Sequence, residues 1–109
     1  MEAIFQRNVI HFLDELISLF PNDPYFMMAR MYVKTQSTPD HLFANAKTHL
    51  SRCKEIVEKR DREAFLQNPL FSDYGDVVTH MKKQWDSLET EEVEGLWTWI
   101  DLFMRLINI

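Results

Sequence analysis

A chain of 109 residues that is 46% hydrophobic, with eight Phe, three Trp and three Tyr, carries enough apolar material for one hydrophobic core. Its net charge of −5 argues against a nucleic-acid binder, whose affinity rests on neutralising phosphates. No apolar run approaches the roughly 20 residues of a membrane-spanning helix, and two glycines with four prolines are too few to punctuate a many-stranded fold.

The first predicted helix covers about residues 3–20. Phe5, Val9, Phe12, Leu13, Leu16, Ile17 and Phe20 recur at three- and four-residue steps and make one apolar face. Pro21 ends it, because proline disfavours helical geometry in the residue before it. Asp23 then caps a second helix, about 24–35, with Pro24 in its first position. That helix carries Tyr25, Phe26, Met27, Met28, Met31 and Tyr32. Its methionines have two readings, an adaptable partner surface or filler for irregular core gaps. Thr38-Pro39 repeats the cap-plus-proline signal, with Asp40 in the first turn, and opens a third helix expected over about 39–63. Its stripe is Leu42, Phe43, Ala46, Leu50, Cys53, Ile56 and Val57. Glu55–Lys59 and Glu58–Arg62 are spaced as i, i+4 ion pairs on its solvated side.

Asn68-Pro69 and Asp73-Tyr74-Gly75 bracket an expected loop containing Leu70 and Phe71. Val77, Val78, Met81, Trp85 and Leu88 mark a fourth helix from about 73 to 87, and Thr90 is expected to cap a fifth. Glu91, Glu92 and Glu94 suit the positive end of that helix dipole. Along it Val93, Leu96, Trp97, Ile100, Phe103, Met104 and Ile107 form one apolar face, while Trp99, Leu102 and Leu106 form a second. Only Glu94, Thr98, Asp101 and Arg105 make a polar stripe. Such a helix either runs through the middle of a bundle or docks its second face on another chain. There is no internal repeat or linker. The expectation is one domain, 1–109, folded as an all-α compact bundle of about five helices.

Candidates for chemistry are sparse. A lone cysteine, Cys53, excludes an internal disulfide framework and suggests a reducing, intracellular compartment; the first residues lack a signal-peptide pattern. His49 and Cys53 share a helix face, but a structural zinc site needs four ligands. His11, His41 and His80 sit in separate segments, so no metal is expected. His11–Asp14 and Asp76–His80 are helix neighbours with nothing to tune them, and no Gly-rich phosphate loop exists. No catalytic residue and no cofactor are expected. Residues 47–85 carry eight basic and six acidic groups, residues 86–109 one and six, a polarity that a partner or plain solvation can exploit.

Three stretches, FLDELISLFPND, EIVEKRDREAFLQN and KKQWDSLETEEVEGLWTWIDLFMRL, together resemble a group of small helical proteins encoded by large DNA viruses of algae and protists. The likeness lies in the proline-ended first helix, the Arg60-Asp61 and Phe65-Leu66 pairs and the Trp85 to Trp97 spacing. It implies a viral origin and a place as virion component or host-facing adaptor, and transfers no catalytic or binding residue. The leading reading is a non-catalytic module that binds another protein or itself, through Trp99, Leu102 and Leu106 or through Met27, Met28 and Met31. The alternative is a helical bundle whose aromatic interior holds a small molecule or lipid.

Overall fold

The apolar stripe of the first segment forms helix α1, Glu2–Leu19, closed where the Phe20 N–H donates to the Leu16 carbonyl at 2.9 Å. The computed structural model describes residues 1–67 and 77–108, with the backbone alone for 77–79; these residues are all-α, with no strand among them. After Pro21 the Asp23 carboxylate, itself buried, accepts from the Tyr25 N–H at 2.9 Å and starts α2, Pro24–Thr35. Cap and proline therefore act at the positions where their chemistry places them.

The third segment departs from expectation. Instead of one helix over 39–63, the chain forms α3, Pro39–Leu50, a 3₁₀ turn at Ser51–Cys53, α4, Lys54–Glu58, and α5, Arg62–Leu66. Cys53 leaves helical geometry at φ −99°, ψ 7°. Beyond α4 the backbone of Arg60 turns left-handed, φ 54°, where glycine is the usual occupant. The Arg60 N–H donates to the Val57 carbonyl and the Asp61 N–H to the Ile56 carbonyl, each at 3.0 Å. This pair of bonds is the Schellman ending of a helix. Asp61 then accepts from the Ala64 N–H at 3.2 Å and caps α5. The break separates Glu58 from Arg62, so Arg62 pairs with Asp86 and with Glu63, while Glu55–Lys59 forms within α4 and its cap at 2.8 Å.

Helix α6 spans Val77–Asp86 and α7 spans Thr90–Ile107. The expected start of the fourth helix near 73 lies outside the described residues. So does the loop with Asn68, Pro69, Leu70, Phe71, Asp73, Tyr74 and Gly75. Glu89, not Thr90, occupies the cap of α7 with extended backbone, and its N–H donates to Glu92 Oε1 at 2.9 Å. A carboxylate three residues into the helix reaches back one turn, which shifts the cap by one position.

Two compact units result, Met1–Asn45 and Ala46–Ile109, divided inside α3. In the first, α1 packs on α2 around Phe5, Leu13, Leu16 and Phe26, with Phe43 edge-on to Phe5 at 5.5 Å. Gln6 Nε2 donates to the Val33 and Ser37 carbonyls at 3.1 and 3.3 Å, satisfying acceptors at the end of α2. In the second, Trp97 is the centre of an aromatic cluster, edge-on to Trp85 at 5.2 Å and to Phe65 at 5.9 Å. Leu66 and Ile107 are fully enclosed. No described helix is long and apolar enough to cross a membrane.

Candidate functional site

Helix α2 is apolar on two sides, and only one of them is covered. Phe26, Ala29, Arg30 and Val33, at i, i+3, i+4 and i+7, form the side toward α1; Phe26 is buried and the other three are half-buried. At 100° per residue the opposite side falls to Met28, Met31 and Tyr32, with Tyr25 and Met27 on its flanks. All five are exposed, Met28 to 69% and Met31 to 67%. Seven large hydrophobic side chains stand exposed among the described residues, and these five belong to α2; the others are Met1 and Ile4. The methionines Met27, Met28 and Met31 thus stand at the surface of a single helix face and fill no core gap.

A groove of about 440 Å³ runs along one flank of this face, open to solvent and lined by Ile17, Met27, Arg30, Met31, Lys34 and Thr35. Its polar edge is basic. Helix α2 contains Arg30 and Lys34 and no acidic residue. Arg30 Nε meets Asp14 Oδ1 of α1 at 2.5 Å, and Lys34, one turn on, forms no ion pair among the described residues. Sequence reasoning passed over Arg30 and Lys34 and placed Ile17 only in the apolar stripe of the first helix. The place of the two cations beside the methionines follows from the wheel of α2 only once the face turned to α1 is known, and that of Ile17 only from the packing of α1 on α2.

The second expected contact surface is largely occupied by its own chain. Leu106 is buried to 9% exposure, and Trp99 and Leu102 are half-buried. Trp99 stacks obliquely on Phe103 with ring centres 6.0 Å apart. Helix α7 consequently buries residues on both of its apolar faces, as a helix apolar around most of its circumference does.

Polar clusters elsewhere have structural partners. Arg60 holds Asp101 in a two-pronged pair, both N–O distances 2.8 Å, with its guanidinium 5.4 Å from the centre of the Trp97 ring. The hydrogen bonds from Arg60 hold the Asp101 carboxyl below its ordinary range, and the same bonds raise the guanidinium. Glu63 is likewise lowered, first by Lys82 at 2.5 Å and then by Arg62. The Cys53 thiol, buried, donates to the His49 carbonyl at 3.6 Å. His11 and His41 are exposed and His49 and His80 half-buried, while Asp76 lies outside the described residues. Among the described residues no three His, Cys, Asp or Glu converge as metal ligands would.

Set against models of known protein families, curated proteins and solved structures, the chain matches none.

Proposed function

We propose that this protein is a non-catalytic interaction module that binds another protein through the exposed face of α2. One observation carries the reading: Tyr25, Met27, Met28, Met31 and Tyr32 crowd one short helix with their side chains in water. Soluble monomers seldom expose contiguous apolar patches without a use for them, and tyrosine and methionine are enriched where proteins meet. Unbranched methionine side chains adapt their shape to a partner. The groove beside the face is open, which suits a partner's side chains better than an enclosed small molecule or lipid. The resemblance to small helical proteins of large DNA viruses supports seeking that partner in a virion or a host complex.

The test is native purification of the protein from its source, followed by mass spectrometry of what accompanies it, for the natural chain and for Met28→Gln/Met31→Gln. Glutamine nearly matches methionine in shape and helix preference, so both forms should melt together, within the roughly 0.5 kcal/mol usual for surface changes. The double variant should lose the accompanying protein. A partner retained by that variant but lost on Trp99→Ala would move the docking surface to α7 and end the α2 reading.

A further inference from the structure

The chain has six methionines and one cysteine, and its fold shelters these sulfurs very unequally. We infer that Met28 and Met31 form a site of reversible oxidation, at which a hydroperoxide converts both thioethers to sulfoxides and makes the apolar face of α2 polar while the fold stands. The inference is independent of the docking reading above; where that reading holds, the same oxidation would release the partner.

Access comes first, because oxidation of a sulfur follows its exposure. Met28 and Met31 are 69% and 67% exposed, ahead of Met27 at 47% and Met1 at 42%. Met81 is half-buried, and Met104, inside α7, is 8% exposed. A thiol is the usual competitor for an oxidant, but it reacts as the thiolate and needs access. Cys53 is 2% exposed and donates its S–H to the His49 carbonyl, which withdraws it from that competition. Chemistry comes second. A sulfur lone pair attacks the outer oxygen of the hydroperoxide, the O–O bond breaks, and the departing oxygen takes up a proton and leaves as an alcohol or water. Sulfur loses two electrons and the peroxide gains them. The sulfoxide is polar, and methionine sulfoxide reductases return it to the thioether at the expense of a thiol reductant. The fold supplies the third part. Phe26 is the one buried residue of α2, so oxygen added at Met28 and Met31 stands in water and leaves the packing on α1 untouched. The same oxygen on Met104 would bring a polar group into the core.

The experiment treats the full, folded chain with a limited dose of hydrogen peroxide and follows each methionine by peptide mass spectrometry, where one oxygen adds about 16 Da. Met28 and Met31 should be half converted before about a tenth of Met104 has reacted, with Met27 behind them. In urea, where the chain is unfolded, all six methionines should react alike, which assigns the order to the fold. The chain oxidised at Met28 and Met31 should keep the urea midpoint of the untreated chain and elute earlier from a hydrophobic-interaction column. Incubation with both methionine sulfoxide reductases, one for each epimer, and dithiothreitol should restore mass and retention. Met28→Gln/Met31→Gln should elute early from the outset and change little with the same dose. Oxidation of Met104 or Cys53 as fast as Met28 in the folded chain would overturn the site. Unchanged retention, or a midpoint that falls, would overturn the switch in polarity with the fold intact, and sulfoxides that both reductases leave in place would overturn its reversibility. No partner enters these measurements, so their failure and that of the purification test are read separately.

Discussion

Arg60 adopts φ 54°, where an L side chain crowds its own carbonyl at a penalty of about 1–2 kcal/mol. Its guanidinium offsets part of this by clasping Asp101 and covering the Trp97 ring. Two substitutions separate backbone from side chain. Arg60→Ala and Arg60→Gly both lose the clasp, but only glycine relieves the left-handed backbone, at some expense in unfolded-state entropy. Arg60→Gly should therefore be more stable than Arg60→Ala by about 0.5–1 kcal/mol in urea melts. Equal stabilities would mean that the Schellman turn does not persist without the arginine. The other half of the clasp titrates. A carboxyl lowered in the folded chain adds stability that is present above its ordinary range and lost as pH falls through its lowered value. Both side chains are about 40% exposed, so solvent screening limits the pair to about 0.5–1 kcal/mol. Asp101→Asn should lag the natural chain by that amount near pH 7 and close on it as the pH falls through the lowered value. A gap that persists in acid would assign the loss to packing.

At the scale of the element, α2 and α7 are built from similar residues and differ in what covers them. Trp97 is 3% exposed and touches two other rings, so Trp97→Ala should destabilise by about 3–5 kcal/mol. Leu106→Ala should lose about 2–4 kcal/mol, since its side chain is also enclosed. Trp99, half-buried against Phe103, should lose about half as much as Trp97, and Met28→Gln almost nothing. Denaturant melts of the four variants rank them. If Trp99→Ala proved as harmless as Met28→Gln, the second face of α7 would be solvent-facing in solution.

For the whole molecule, the described core is unevenly shared. Fourteen of its eighteen buried hydrophobic residues belong to Ala46–Ile109 and four to Met1–Asn45. Local opening is easiest where few apolar side chains are enclosed. Amide exchange should therefore be slowest in the middle of α7, around Trp97 to Met104, and markedly faster in α2, where Phe26 alone is buried. Uniform protection across α2 and α7 would contradict this, and would imply that the two units open together. A readily opened α2 would also suit the docking role proposed for it, since a weakly protected helix can adjust its side chains and backbone at little expense.

Local signals sufficed for the all-α class and for the ends of α1 and α2, because stripe spacing, a capping aspartate and a proline act within one turn of the residues that carry them. They were not enough at Arg60, where a helix ends on a residue that has no intrinsic preference for left-handed backbone. The guanidinium that helps hold that turn finds its carboxylate forty-one residues away. Nor could the α7 cap be placed between Glu89 and Thr90 from composition, since either residue can accept at that position and the Glu92 contact decides. The same limit applies to the candidate site. Composition places three methionines and two tyrosines on one short helix, but whether such residues fill a core or face water depends on which side another helix covers. Packing of α1 against Phe26 settled that, leaving Met28 and Met31 outside, while the enclosure of Leu106 and the half-burial of Trp99 and Leu102 turned the second face of α7 partly inward. Burial is a property of the neighbours a side chain meets, and those neighbours are brought together only by the tertiary structure.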